Sequence, residues 1–396
     1  TKHRFYLDIA EDTLSYVKRE MLDINGSFYS SQDADSEGIE GKFFVWDCEE
    51  IIEELGEKEG QIFNKIYGVT EKGNFEGKSI LTKSNSYQAI SFEDNPEFDK
   101  NINLSKEKLL AVRNTRIPPE TDKKIITSWN ALMMKSFSEV AIVTQNSEYL
   151  KIAQLNAAFL TDKLYKSSIL YRTYQNGEPK ITGFLEDYSF LIDALLKIHE
   201  ASFESKWLEI AIGLCYEMVD LFWDDRAGIL YDTSNTHENL VIRPSEWTDN
   251  AIPAGASLAV EVLLKFSIIL DEQLFKDIAT RILASMIKLV EQFPSASGQW
   301  LNAIDFYTSN HPEITIVGSK SNKDTQNLLN QVYKTYIPNK ILIGLNKEQN
   351  SISNLAFTKY KQAIANQPTA YLCQNYECDL PTNDPEILSK QLLDIK

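Results

Sequence analysis

Apolar positions in this chain fall into a unit that recurs four times: an aromatic or Leu pair, an Ile-Ala step, a stretch with helical spacing, then a break and another aromatic. The copies run from Tyr6-Leu7-Asp8-Ile9-Ala10 to Phe28-Tyr29, from Tyr149-Leu150-Lys151-Ile152-Ala153 to Leu170-Tyr171, from Trp207-Leu208-Glu209-Ile210-Ala211 to Leu230-Tyr231, and more loosely from Phe275 with Ile278-Ala279 to Gly298-Gln299-Trp300. The terminal aromatic follows the Ala by roughly 18 to 21 residues, the length of one helix of ~30 Å and its exit. A fixed period of this kind predicts a repeat architecture.

The segments between the later copies also read as helices. From Gly183 to Ser202, Phe184, Tyr188, Leu191, Leu195 and Ile198 follow steps of three and four, with Glu186 and Asp187 placed where a helix dipole favours acids. From Pro253 to Leu270 the pattern is apolar nearly all round, with Pro253 suited to a first helical position. An all-round apolar helix must be buried. Its alternation with one-sided helices (Ser205 to Trp223, Glu272 to Phe293) predicts two layers, an inner circle within an outer one. Two segments break the rhythm. One leaves at Gly26 and returns near Trp129-Asn130; the other starts near Pro312, where strand, helix, strand and strand patterns (314–317, 323–336, 340–345, 369–373) predict a small α/β unit. The expected division is therefore 1–311, a helical toroid with 30–128 as an excursion between hairpins, and 312–396, the α/β unit.

A formal charge of −17 over 396 residues argues against nucleic-acid or anionic-membrane partners, which demand clustered Lys and Arg. No stretch approaches ~20 uninterrupted apolar residues. Thr1 to Arg4 lack the apolar core of a secretory signal, and the immediate start on a repeat helix leads to the expectation of more protein upstream. Cys48 and Cys215 read as ordinary thiols. Cys373 and Cys378, five apart and without His nearby, are expected to be reduced and metal-free in a reducing, cytoplasmic compartment.

The run Phe28-Tyr29-Ser30-Ser31-Gln32-Asp33-Ala34-Asp35-Ser36-Glu37-Gly38, followed by Glu40-Gly41-Lys42-Phe43 and Trp46, resembles the signature of a widespread family that joins a thioredoxin-like domain to a helical toroid, and that includes the spermatogenesis-associated thioredoxin-domain proteins. Matching pieces continue through Tyr67-Gly68-Val69-Thr70, Gly73 to Gly77, Asp122 to Asn130, Leu185-Glu186-Asp187-Tyr188, Arg243-Pro244 and Ala370 to Cys378, almost the whole chain. The family's toroid is similar to the six-hairpin glycosidases and N-acylglucosamine 2-epimerases. The resemblance thus implies a mainly α, (α/α)6-type toroid, complete or lacking part of its first hairpin, and a thioredoxin-like domain as partner. The chain departs from the pattern at Ala131, and at Ala254 and Ala256, where the family commonly carries Gly, Ser and Asn.

Epimerisation beside a sugar carbonyl needs two acid/base groups, histidines in the related epimerases. His3, His199, His237 and His311 are too few and too scattered, His199 reading as a helix-end residue. Carboxylates are the alternative, since glycoside hydrolysis needs a pair about 5 to 10 Å apart. The candidate catalytic residues are Asp33, Asp35, Glu186, Asp187 and Asp249, each with a bland reading as a cap or dipole partner. Asp33, Asp35, Glu37 and Gly38 also match half of a calcium loop, but position twelve is Phe44, so no metal or cofactor is expected. Sugar-stacking or substrate-binding candidates are Tyr29, Glu37, Trp129, Asn130, Tyr171, Tyr188, Tyr231 and Trp300. Two functions stay open: an enzyme acting on a carbohydrate or similar polar small molecule, and a non-catalytic toroid that scaffolds a thioredoxin-like domain, with Ala254 and Ala256 marking a filled pocket.

Overall fold

The computed structural model describes residues 3–83, 96–238, 241–346, 352, 355–374 and 377–395; Thr1 and Lys2, read above as the chain's opening residues, lie outside them. The chain divides into two compact units, Thr1–Tyr29 with Lys124–Lys396, and Ser30–Lys123. In the second unit, helices Cys48–Leu55, Glu57–Ile66 and Pro96–Arg113 enclose Trp46, Ile51, Phe63, Ile66 and Leu109. The Arg116 guanidinium lies 4.1 Å over the Trp46 ring and donates to the carbonyls of Phe43 (2.9 Å) and Val45 (2.8 Å).

The first unit is built of α1 (Arg4–Tyr16), α2 (Thr127–Thr144), α3 (Ser147–Phe159), α4 (Leu185–Ser202), α5 (Ser205–Phe222), α6 (Gly255–Leu270), α7 (Gln273–Gln292) and α8 (Gly298–Thr308). Helices α2, α4, α6 and α8 pack side by side as one layer, while α3, α5 and α7 each pair back onto the preceding inner helix. This is the (α/α)6-type toroid architecture. Burial explains the layering: every residue of α4 but Glu186 and Lys197 is buried, whereas α5 buries only Trp207, Leu208, Ala211, Leu214, Cys215, Met218 and Phe222 with its end residue Ser205. Steps of three and four give α5 one apolar face, so it belongs outside.

The repeat also fixes the joints. Gln145, Phe203 and Asp271 end the inner helices α2, α4 and α6 in the left-handed region, and each starts a turn into an outer helix. The outer helices α1 and α3 both close with one π-helical turn, Val17–Met21 and Leu160–Leu164. Three expectations need correction. Pro253 precedes α6 by two residues instead of opening it, and Gly298-Gln299-Trp300 begins a helix. The segment before α4 is a hairpin, β1 (Ile169–Gln175) and β2 (Glu178–Thr182), whose β-branched and aromatic residues overrode the helical reading.

A chain of charged groups crosses the inner layer. Lys135 of α2 lies 2.7 Å from Asp193 of α4, which also meets Lys265 of α6 at 3.2 Å; Lys265 lies 2.6 Å from Glu261, which accepts from the Gln299 side chain of α8. Burial by itself raises the Asp193 pKa, but Lys135 and Lys265 outweigh it and hold the carboxyl well below its usual range.

The C-terminal sheet has the order β4-β3-β5-β6, with β3 (Glu313–Val317) parallel to β4 (Ile341–Leu345) and antiparallel to β5 (Thr369–Gln374), which pairs with β6 (Glu377–Cys378). Helix α9 (Lys323–Lys334) connects β3 to β4, and α10 (Pro385–Leu393) follows β6. Cys373 and Cys378, expected as free thiols, are disulfide-bonded. The β5–β6 register places them directly opposite, with Cα atoms 3.9 Å apart, so pairing geometry and not thiol pKa decides their state.

His199 ties the sheet to the helices. Its Nδ1 lies 3.0 Å from the Glu204 carbonyl and its Nε2 accepts the Gly344 amide at 3.3 Å, while burial lowers its pKa and keeps the ring neutral. A Cβ on Gly344 would stand 2.1 Å from the Phe203 ring. Gly344→Ala is therefore expected to lower stability by about 3 kcal/mol, read by urea unfolding; an unchanged midpoint would show that β4 can move off the ring.

Candidate functional site

At the N-terminal ends of α2, α4, α6 and α8, Ser128 meets Asp187, Gly255 lies against Glu186, and Gln299 meets Asp249. At α4, Asp187 is fully buried and both its oxygens are engaged: Oδ1 takes the Ser128 amide at 3.0 Å, and Oδ2 takes the Phe184 amide at 2.9 Å and Arg172 Nη1 at 3.1 Å. It holds the first turns of α2 and α4 together. Complete burial raises its pKa to about 6, more than the salt bridge and amides bring it down, although that same salt bridge raises the pKa of Arg172.

Glu186, the next residue back, is placed differently. Its side chain is about a quarter exposed, at 24%, its Oε1 takes Arg172 Nη1 at 2.7 Å, and the Ser128 hydroxyl stands 3.5 Å away. Arg172 comes from β1 and lies 4.6 Å over the Phe184 ring, so the guanidinium is fixed on two sides. Asp232 completes the group. Its carbonyl accepts the Leu185 amide at 2.9 Å, its Oδ2 accepts the Glu246 amide at 2.7 Å, and burial, followed by the charges of Glu246 and Glu186, raises its pKa. Glu246 itself is held by the Thr248 hydroxyl and by the amides of Thr248 and Trp247 at 3.0 Å. A carboxylate about a quarter exposed and held by an arginine, with a partly buried acid of raised pKa in its electrostatic reach, can divide base and acid roles.

Gly255 makes the arrangement possible, because a Cβ there would stand 2.8 Å from the Glu186 amide nitrogen. Asp249 locks the other two helices: Oδ1 accepts from the Ala254 amide (2.9 Å) and the Ser257 hydroxyl (2.7 Å), and Oδ2 from the Gln299 amide (2.8 Å). Ala254 and Ala256 are buried beside it. Asn130 is buried too. Its Oδ1 accepts from the Phe28 amide at 2.8 Å and from Asn156 at 2.9 Å, and its Nδ2 donates to the carbonyls of Phe28 and Ile126.

The aromatic candidates part company. Trp300 is buried, its indole donating to the Trp247 carbonyl at 2.7 Å, and Tyr188 is buried edge-on against Phe222. Tyr29 is half-buried and donates to Asp23 at 2.9 Å; Tyr171 lies on β1; Tyr231 carries Arg243 at 4.3 Å over its ring. Trp129 is exposed on the first turn of α2. In the other unit Asp33 and Asp35 are exposed, Asp33 Oδ1 accepting the Asp35 amide at 3.1 Å, and Glu37 pairs with Lys42 at 2.6 Å. Arg172, Asp232, Ser128 and Glu246 carried no signal in the repeat pattern except one: Asp232 follows the terminal aromatic Tyr231 directly. Among the described residues no group of three or more His, Cys, Asp or Glu is placed to hold a metal, and no helix is long and apolar enough to cross a membrane. A surface pocket of about 610 Å³ between α9 and α10, lined by Asn327, Asn330, Lys334 and Glu386 among others, includes none of these carboxylates.

No family model matches the chain. It is 30% identical to spermatogenesis-associated protein 20 of Homo sapiens over 98% of its own length and 55% of that protein's, and 29% identical to the Rattus norvegicus protein of the same name over 98% and 54%. The chain thus spans about half the length of the curated relatives it matches. Among solved structures it is similar to a cellobiose 2-epimerase from Bacillus thermoamylovorans (11% identity, TM-score 0.37, 72% of this chain and 73% of that one) and to one from Spirochaeta thermophila (19%, TM-score 0.35, 41% and 43%).

Proposed function

For this chain, a homologue over nearly its whole length of spermatogenesis-associated protein 20, we propose that the helical unit acts on a carbohydrate or a similar polar small molecule through carboxylate acid/base chemistry. The observation that carries the reading is the Glu186–Arg172–Asp232 group at the ends of the inner helices. In this reading Glu186 is the reacting carboxylate, Arg172 orients it, Asp232 supplies the proton, and Trp129 offers a stacking face. Asp187 and Asp249, whose oxygens are committed to backbone amides and hydroxyls, position the helix ends. Tyr171 and Tyr231 are proposed to border the substrate. A thioredoxin-like domain is the proposed partner, on the strength of the family resemblance.

The test is a thermal-shift and turnover screen against mono- and disaccharides. Where one is processed, Glu186→Gln is expected to lower kcat by about 10²–10⁴-fold with little change in stability, because its Oε1 keeps an acceptor for Arg172. A Glu186→Gln protein as active as the wild type sinks the catalytic assignment. A second reading, the non-catalytic scaffold, draws on the burial of Ala254 and Ala256; it predicts that no saccharide shifts the melting temperature.

A further inference from the structure

The strand–turn–helix junction from β3 into α9 stands apart from the carboxylate group and carries its own chemistry. Strand β3 lies between a parallel and an antiparallel neighbour, and its carboxyl end leads into the turn before α9. The turn reads Gly318-Ser319-Lys320-Ser321-Asn322 and delivers the chain to the N-terminus of a twelve-residue helix. Gly318 donates its amide to the Leu345 carbonyl at 2.8 Å, and a Cβ on it would stand 2.4 Å from Thr325 Oγ1 and 3.0 Å from Pro368. Only glycine lets the first turn of α9 come this close to the strand end.

Two groups in this junction lack the partner their burial calls for. Thr325 is wholly buried, its hydroxyl faces Gly318, and it has no hydrogen-bond partner among the described residues. A buried hydroxyl without a partner is uncommon and asks for one. Lys320 is half-buried, and no ion pair or hydrogen bond reaches its amine among the described residues; burial pushes its pKa down to about 8, opposed by the charge of Glu204. The hydroxyls of Ser319 and Ser321 lie 2.9 Å apart on the same turn, and Gln326 fixes the turn by donating to the Lys320 carbonyl at 3.1 Å. The first helical turn carries Lys323 and Asp324, both exposed, whose charges offset each other.

We propose that this turn binds a phosphate group, either inorganic phosphate or the phosphate of a small metabolite, at the N-terminus of α9. The helix dipole favours an anion there even with the Asn322 side chain on the Asp324 amide at 2.7 Å, Lys320 supplies the formal charge, the two serine hydroxyls turn from each other to phosphate oxygens, and Thr325 pairs beneath them.

The experiment titrates inorganic phosphate and, separately, glucose 6-phosphate into the full chain by calorimetry, with melting temperature as a second readout. Saturable binding is expected, weakened about 10-fold or more in Lys320→Gln and largely kept in Lys320→Arg. Thr325→Val is expected to weaken it several-fold. Tighter binding of glucose 6-phosphate than of inorganic phosphate identifies a phosphorylated metabolite as occupant; equal binding identifies phosphate alone. Absence of saturable binding of either probe by the wild type overturns the proposal whatever the variants do, as does unchanged binding by a folded Lys320→Gln.

Discussion

Asp193→Ala is expected to destabilise the helical unit by about 3 kcal/mol, because it strips the shared carboxylate from two lysines of neighbouring inner helices. Asp193 is 3% exposed at its side chain, and it takes Lys135 at 2.7 Å and Lys265 at 3.2 Å. Lys265 keeps Glu261 at 2.6 Å, which limits the loss; Lys135 keeps no comparable partner in the chain of pairs. Replacing only one member of a buried charged group leaves the others desolvated, which costs more than the pair itself contributes. The pH dependence has a definite sign. A carboxyl whose pKa is depressed in the folded state contributes stability that is present above its unfolded value, 3.8, and lost as pH falls through the folded one. Urea unfolding from neutral pH into acid should therefore show a steeper acid loss in the wild type than in Asp193→Ala, and parallel curves would show that the lysines, not the carboxyl, carry the network.

Asp187→Asn is expected to cost about 3 kcal/mol although it is isosteric. Asp187 accepts three donors, the amides of Ser128 and Phe184 and the Arg172 guanidinium. An amide side chain can present only one oxygen, so its NH₂ would face N–H groups that need an acceptor. The helix ends bearing Glu186 should then part, and any ligand response of the carboxylate group should fall with stability. Here the pH sign is the reverse of that for Asp193. The folded pKa of about 6 lies above the unfolded value of 3.8, so the contribution is full below the unfolded value and is lost as pH rises through about 6. The stability gap between wild type and Asp187→Asn should narrow between about pH 4 and 7 in denaturant titrations; a constant gap would mean that Asp187 is ionised throughout, and a widening one that its folded pKa lies below the unfolded value.

Much of this was legible in the sequence, for a reason that differs from element to element. The paired layers could be read because helix burial is a property of periodicity: α6 is apolar nearly all round and α5 on one face, and no contact outside the helix is needed to see it. The strands of the C-terminal sheet were legible for the same reason, since Ile314 to Val317 and Ile341 to Leu345 are β-branched or apolar runs of strand length. The β1–β2 hairpin was not, because its segment carries aromatic spacing compatible with either element and only pairing across Tyr171 and Thr182 decides it.

The functional residues divide along the same line. Glu186 and Asp187 are neighbours in sequence with the same charge and the same helical position, and the sequence alone assigns them one role. Tertiary structure separates them. A helical step of one residue turns the side chain by about 100°, which sends Asp187 into the joint between α2 and α4 and leaves Glu186 on the rim beside Arg172. Arg172 and Asp232 join Glu186 from segments 14 residues before and 46 residues after it, a proximity that no local pattern encodes. The cysteines make the same point: sequence spacing gave Cys373 and Cys378 no redox signal, and the register of β5 on β6 placed them face to face. By itself the sequence determined the periodicities, and through them the helices, the layers and the repeat. Only the tertiary structure decided which of several equivalent polar side chains would be buried, paired or left exposed, because those outcomes depend on groups brought together by the closing of the fold.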